Sequence, residues 1–600
     1  MSPPPRRPVR KVARTRPLGR QGVRLHGGLA VVMVILALLA ARLVWLQGIG
    51  ATAYAADASS QRLRTNTILA PRGEITDRAG VPLALSLDAR AIFGEPRIIA
   101  KADCRPHASK PCTPATIAAA LAPILGQPAA VLQEKLARPN AFVYLGRGLD
   151  PAVGNRVRDL ALVGVGVLPE PKRSHPAGDL GVNVTGFTDR DGNGLAGIES
   201  AMQSVLAGRD GRTTAEVDRV GRVIPTGLTS TIAPVPGRTV ELTIDRDLQW
   251  YAQQVLAQKV AETQAVNGTA IVMDIKTGEV LALATAPTFN PENRTATPSP
   301  IALRNTVTGD VYEPGSVNKV ITAAAALEAG VVTPDTVITV PPTIQVAGHT
   351  VHDAEQHGTE RLTFTGVIAK SSNIGTVEVA QQVGAESLYE AMRRFGYGEK
   401  SGLGLPGESR GVLPKPTDWS GTSIATIPIG QGVSVNAMQV ASVYATVANG
   451  GVRVSPTVVR AVADPSGRLV PAAPAATRRV ISPHVAAQLR TMLEAVVSAE
   501  GTAPLAAVPG YRIAGKTGTA QRVVDGRYQD GNYTSSFIGF APADAPRLVT
   551  AVVLQGTGKR DYFGGSTAGP VFQSVMSFAL RALRIPPTGT TAPVAVLTAR

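Results

Sequence analysis

Ser316 and Lys319 stand three residues apart in Glu313-Pro314-Gly315-Ser316-Val317-Asn318-Lys319, just ahead of an apolar, Ala-rich stretch from Val320 to Ala329 that Gly330 closes. A proline before and a glycine after bracket a helix, and residues i and i+3 share one of its faces. Lys319 can then reach the Ser316 hydroxyl, while the helix N-terminus offers amide hydrogens to a developing oxyanion. This is the layout needed by a serine nucleophile with a lysine base. To act near neutral pH the lysine must fall from about 10.4 to about 7 through burial and neighbouring positive charge, within the range proteins reach. The plain alternative is an exposed serine and lysine on a helix surface. Ser-x-x-Lys occurs once in the chain.

Two further short patterns fit beside it. Ser371-Ser372-Asn373 could supply a hydroxyl that relays a proton and an amide that orients a substrate, although Ser-x-Asn recurs at 316–318 and 434–436. Lys516-Thr517-Gly518 lies in the alternating stretch Tyr511 to Ala520. An edge strand there could pair with an extended peptide while Lys516, Thr517 and Thr519 meet its carboxylate. A second Lys-Thr-Gly at 276–278 reads as a hairpin turn. Gly510 to Thr517 matches the phosphate-binding pattern G-x-x-x-x-G-K-[ST], but Ala506 to Pro509 makes a poor strand and Gly518 to Ala520 a poor helix start, so nucleotide binding is not expected. Gly402 to Gly407 matches G-x-G-x-x-G without a helix to follow and reads as a loop.

The elements that must hold these residues come from the rest of the pattern. Val240 to Ile244 predicts a strand, Asp247 to Thr263 a helix, and Thr269 to Asp274 with Glu279 to Thr285 a hairpin. Helices are expected at Val320 to Ala329, Val435 to Asn449, His484 to Ser498 and Val571 to Leu583, with strands at Tyr511 to Ala520, Ser535 to Phe540 and Leu548 to Leu554. Strands at both ends with helices between them suggest one sheet whose termini meet. Residues 68 to 231 alternate short strand-like runs with Gly and Asp turns and two amphipathic stretches, Thr116 to Leu136 and Pro151 to Leu160.

Six hundred residues, 44% hydrophobic and 17% charged, imply two to four folded units rather than one. The formal charge is +16, but eight of the cations precede residue 26 with no acidic residue among them. The remainder is spread without a basic stripe, which argues against nucleic acid. Gly27 to Ala41 is an uncharged run that resumes after Arg42 as Leu43 to Gly50. The whole stretch reaches about 36 Å, enough to cross a hydrocarbon core of about 30 Å if Arg42 snorkels. Cations before the span put the N-terminus in the cytoplasm and the body outside. A cleaved signal peptide is the alternative, since Ala51-Thr52-Ala53 and Ala53-Tyr54-Ala55 both fit a small-x-small site. In an extracytoplasmic body Cys104 and Cys112 can close a disulfide or remain free thiols, and spacing does not decide. Two cysteines and seven scattered histidines with no His-Glu-x-x-His supply no metal centre, so neither metal nor cofactor is expected.

Ser-x-x-Lys, Ser-x-Asn and Lys-Thr-Gly in that order behind a membrane anchor resemble the penicillin-binding proteins and serine β-lactamases. The flanks PRGEITDRAG (71–80), GLAGIE (194–199), LTID (242–245), YEPGSVNK (312–319), GQG (430–432), KTGTAQ (516–521), FIGFAP (537–542) and Gly564-Gly565 narrow the resemblance to class B penicillin-binding proteins of the septal D,D-transpeptidase type, over about residues 25 to 585.

The resemblance implies an α+β chain: a basic cytoplasmic tail (1–26), a transmembrane anchor (27–49), a linker (50–67), a non-catalytic pedestal of the dimerisation type (68–235), a transpeptidase domain built on an antiparallel sheet flanked by helices (236–585), and a short tail (586–600). It implies Ser316 as nucleophile, Lys319 as its base, Ser371 and Asn373 for proton relay and the substrate amide, and Lys516 for electrostatics. Thr517, Gly518 and Thr519 would bind the substrate carboxylate, with the amides of Ser316 and Thr519 as oxyanion hole. The implied partners are peptidoglycan stem peptides ending in D-Ala-D-Ala, β-lactams, a SEDS-family glycosyltransferase and other divisome membrane proteins. An elongation-type transpeptidase, a D,D-carboxypeptidase and a catalytically silent β-lactam-binding scaffold remain as alternatives. Two departures stand out: Asn318 where many relatives carry an apolar residue, and His175 where a pedestal tyrosine is common. No glycosyltransferase domain fits before residue 236.

Overall fold

In the computed structural model the described residues run from 21 to 599, leaving aside 53, 55, 57–61, 103, 105–110, 219–222, 298, 525 and 559. Most of the expected basic arm and part of the linker lie outside them. They form two compact units, one of residues up to 68 with 211–233, the other of 69–210 with 234 onward.

The first unit holds the apolar helix Gln21–Val44, which continues as a π-helical turn Trp45–Ile49. The segment 22–49 is long and apolar enough to cross a membrane. The Arg42 guanidinium lies 4.9 Å from the centre of the Trp45 indole, a cation–π contact at the end of the apolar run. The same unit holds a three-stranded antiparallel sheet in which Gly211–Glu216 is central, between Leu63–Ile68 and Thr229–Ile232. Cross-strand threonine pairs tie it on opposite faces, Thr65 to Thr214 at 2.9 Å on one and Thr213 to Thr231 at 2.6 Å on the other.

In the second unit, a small sheet of Arg90–Gly94, Val143–Leu149 and Val165–Pro169 shares a core with four short helices, around Ile92, Ile99, Ile117, Leu132, Leu145 and Val157. The expected single stretch Thr116 to Leu136 is two helices, Pro114–Leu125 and Ala129–Ala137. Gly126 ends the first in left-handed backbone at φ 61°, and Pro128 opens the second. A six-stranded sheet then joins early and late sequence: Val240–Leu242 pairs in parallel with Ile75–Thr76 on one side and antiparallel with Val459–Ala463 on the other. Beside it Glu199, without solvent exposure, is clamped by Arg72 and Arg173, whose Nε donates to the carboxylate at 2.6 Å. Cys104 and Cys112 are joined, with Cα atoms 5.8 Å apart; most of the loop they close lies outside the described residues.

The larger core is a five-stranded antiparallel sheet. Its strands are β1 (Asn267–Asp274), β2 (Val280–Ala286), β3 (Ala514–Val524), β4 (Arg527–Ala541) and β5 (Leu548–Thr557), in the order β2-β1-β5-β4-β3. First and last thus meet, β1 pairing with β5, and β3 forms an edge. Every residue of β2 is buried, and so is all of β1 but Asp274, which reads as a continuous apolar run because helices cover both faces. Arg246–Thr263 and the terminal helix Gly564–Ala582 pack together there, Tyr251 stacking on Phe578 with centroids 4.4 Å apart. The wholly buried helix Ala437–Ala448, capped by a reciprocal Asn436–Gln439 box, packs against β1, β4 and β5. Each fully buried Val, Leu, Ile or Phe contributes about 1.5–3 kcal/mol to holding this frame. The short C-terminal tail is not free: Thr363 donates its N–H to Leu597 O at 3.0 Å and Ala599 to Arg361 O at 2.9 Å.

Candidate active site

Three helices and the edge strand converge here: α1 (Lys319–Glu328), α2 (Phe364–Ala369), α3 (Asn373–Val383) and β3. Ser316 does not sit in the first α-helical turn, as expected, but in a 3₁₀ turn, Gly315–Asn318, that leads into α1 at Lys319. The turn is wedged. The Gly315 N–H donates to Gly430 O at 3.0 Å, and the buried Tyr444 hydroxyl donates to Val317 O at 2.9 Å. Gly430 lies in left-handed backbone at φ 85°, and a Cβ there would collide with Gly315. Amide hydrogens in the first turn of such a helix have no partner within it.

Lys319 has no solvent exposure. Its Nζ donates to Ser371 O at 2.6 Å, Asn373 Oδ1 at 2.7 Å and Ser371 Oγ at 3.3 Å, so an ammonium there would have three acceptors. Burial nonetheless pulls its pKa down to about 7, with the Asp353 carboxylate acting in the opposite sense. Among the described residues Lys319 makes no hydrogen bond to Ser316 Oγ; its amine is turned to the Ser371–Asn373 side.

That side owes its shape to an unusual helix end. Ser372 N–H donates to Val367 O at 2.9 Å and Ser371 N–H to Ile368 O at 3.3 Å, the paired bonds of a Schellman motif closing α2. The left-handed position, normally glycine, is Ser371 at φ 60°. Ser372 then caps α3, accepting the Gly375 N–H at 3.0 Å. Asp353, from the loop after strand His349–His352, accepts the N–H groups of Asn373 at 2.5 Å and Ile374 at 3.0 Å and pairs with His357 at 3.1 Å. Asn373 Nδ2 donates to His352 O at 2.9 Å.

β3 brings the third group. A Cβ on Gly518 would collide with Ser536 Oγ and stand 3.0 Å from Pro314 O and Val317 Cγ1, so glycine is what lets the strand lie against the Ser316 turn. Lys516, in the strand interior rather than at a helix start, is fully buried, and burial with the nearby Lys319 charge holds it well below an ordinary lysine. Its Nζ makes long contacts of 3.4 Å to Thr517 O and Oγ1. Thr517 Oγ1 pairs with Thr502 Oγ1 at 2.8 Å, and Thr519 Oγ1 accepts the Gly564 N–H at 3.2 Å. Asn318, beside the lysine, is buried; its Nδ2 donates to Ile427 O at 2.9 Å while its Oδ1 has no partner among the described residues.

Ser316, Lys319, Ser371, Asn373, Lys516, Thr517, Gly518 and Thr519 therefore come together, and Cys104–Cys112 lies elsewhere in the chain. Sequence reading missed Asp353, Thr502 and Tyr444, and gave Gly430 no role of its own. A lone Asp after a short strand carries no signal of its own, and Gly430 was noticed only as part of a resemblance.

Residues 268–577 match the penicillin-binding protein transpeptidase domain and residues 67–242 the penicillin-binding protein dimerisation domain. The chain is 39% identical over 587 residues to the penicillin-binding protein PbpB of Mycolicibacterium smegmatis, covering 93% of this chain and 90% of that one. It is 34% identical over 566 residues to the peptidoglycan D,D-transpeptidase FtsI of Escherichia coli, covering 93% and 92%. Among solved structures it is similar to penicillin-binding protein 3 of Mycobacterium tuberculosis complexed with ampicillin, with a TM-score of 0.70, 34% identity and coverage of 89% of this chain and all of that one.

Proposed function

The chain belongs to the penicillin-binding proteins with a transpeptidase domain, and from that premise we propose that it is a septal peptidoglycan D,D-transpeptidase working through an acyl-enzyme on Ser316. One observation carries the assignment of roles: a lysine without solvent exposure, one turn after a serine, fixed between Ser371 and Asn373 with the Gly518 backbone against the serine's own turn.

In this reading neutral Lys319 takes the Ser316 proton as Oγ attacks the carbonyl of the penultimate D-Ala. The resulting ammonium finds its three acceptors already in place. Amides of Ser316 and Thr519 receive the oxyanion, each donor of this kind being worth about 3–4 kcal/mol. Thr517, Gly518 and Thr519 hold the terminal carboxylate in the field of Lys516. The C–N bond then breaks, the proton returns through the Ser371 hydroxyl to the departing amine, and D-Ala leaves. An amine of a second stem peptide attacks the ester, forming the cross-link and releasing Ser316. β-Lactams acylate the same oxygen. No cofactor takes part.

The cations before the apolar helix support a cytoplasmic N-terminus and a catalytic body outside, where this substrate lies. Residues 68–235 serve as a non-catalytic pedestal, and the partners are membrane proteins of the division machinery, a SEDS-family glycosyltransferase among them. Incubation of the full chain with a pentapeptide donor and an amine acceptor tests the activity: D-Ala release with formation of the cross-linked product supports it. D-Ala release without cross-link would favour a carboxypeptidase, and neither product a silent binder.

A further inference from the structure

Glu313 precedes Ser316 by three residues and is half-buried. Its carboxylate accepts the Gly432 N–H at 2.8 Å and the Tyr528 O–H at 3.0 and 3.2 Å, two neutral donors. Among the described residues no lysine, arginine or histidine forms an ion pair with it, and burial raises its carboxyl. A carboxylate held partly out of water without a cation is costly, and nothing in the acylation of Ser316 uses it.

Its surroundings say where it points. Gly315, between Glu313 and Ser316, packs against Thr519 O and Ala520, and its N–H is bound to Gly430 in the segment that also supplies Gly432. Glu313 is thus tied to the nucleophile's turn, on the side toward which β3 runs after Thr519. The strand continues to Val524, turns, and returns with Tyr528 opposite Val523. Tyr528 is 50% exposed, and its hydroxyl lies against the carboxylate. Burial and the neighbouring carboxylate lift that phenol to about 12, so it remains a donor.

We propose that Glu313 is the binding group for the acceptor amine, receiving its ammonium in place of the Tyr528 hydroxyl. The inference rests on the transpeptidase reading and supplies its second half-reaction. Bound as a cation, the acceptor gives one proton to Glu313, which passes it to water, and the freed nitrogen attacks the ester carbonyl. The C–N bond forms as the C–Oγ bond breaks, and the nitrogen's second proton reaches Ser316 Oγ by way of Lys319. Donors and β-lactams, held at Thr517 to Thr519, do not need the carboxylate.

The test uses the full-length protein in detergent with a thioester donor, comparing D-alanine, whose amine is charged at pH 7, with hydroxylamine, which is not. Glu313→Gln, which can still accept the Gly432 N–H, should lower partition of the acyl-enzyme to D-alanine at least tenfold, partition to hydroxylamine less than twofold, and penicillin acylation less than threefold. Tyr528→Phe should hold or raise the D-alanine partition. Equal loss with both amines, a parallel loss of acylation, or a Tyr528→Phe defect matching Glu313→Gln would overturn the proposal in favour of a structural contact. Failure of the unsubstituted protein to form any acyl-enzyme would instead sink the transpeptidase reading itself.

Discussion

Ser371 holds left-handed backbone at φ 60° and presents its carbonyl oxygen 2.6 Å from Lys319 Nζ. A residue other than glycine in that conformation costs roughly 1–2 kcal/mol, which the surrounding helix ends must offset. The strain sits where the proposed base is gripped, and it turns both the carbonyl and the hydroxyl of one residue toward the same amine.

The rate of acylation by a penicillin should rise with pH through about 7 and level off above it, because burial brings Lys319 to about 7 and only its neutral form can take the serine proton. The sign follows from the direction of the shift: below that pH the amine is protonated and inactive. Lys319→Arg, permanently charged, should lose about 10²–10⁴ of the rate at every pH. Stopped-flow labelling across pH 5.5 to about 9 reads both, on the scale where such groups titrate.

Asp353→Asn should shift that profile to lower pH, since Asp353 is the group that raises Lys319. Asp353→Ala should also cost about 1–2 kcal/mol of stability by freeing the Asn373 and Ile374 amides at the start of α3. Pairing the pH–rate profile with a denaturation curve separates the electrostatic effect from the helix cap.

Glu199→Gln should cost about 3–5 kcal/mol, because it leaves the buried guanidinium groups of Arg72 and Arg173 without their shared counter-charge. Urea denaturation followed by intrinsic fluorescence measures the loss.

The paired strands β1 and β2 were legible as strand-length apolar runs flanking the turn at 276–278, and the helix Arg246–Thr263 by the helical spacing of its buried side chains. The meeting of Ser316, Lys319, Ser371, Asn373 and Lys516 was legible only through the order and flanks of three short patterns, each commonplace by itself. What escaped depends on tertiary context. The 3₁₀ turn under Ser316 is imposed by Gly430 and Tyr444, more than a hundred residues away. The left-handed Ser371 reads like any serine. Asp353 gains its role only when the loop carrying it lands on the start of α3. β4 extends from Arg527 to Ala541, well beyond the apolar run Ser535 to Phe540, because its polar first half pairs with β3 in the hairpin that carries Tyr528. The pairing of the tail near Leu597 with Arg361 and Thr363 has no compositional signal at all.

The central claim is that Ser316 Oγ is the acylated atom, and mass mapping of the penicillin-treated full-length protein tests it most directly. The adduct should appear on the peptide containing Ser316 and vanish in Ser316→Ala. An adduct on any other residue, or equal labelling of the Ser316→Ala protein, would contradict it.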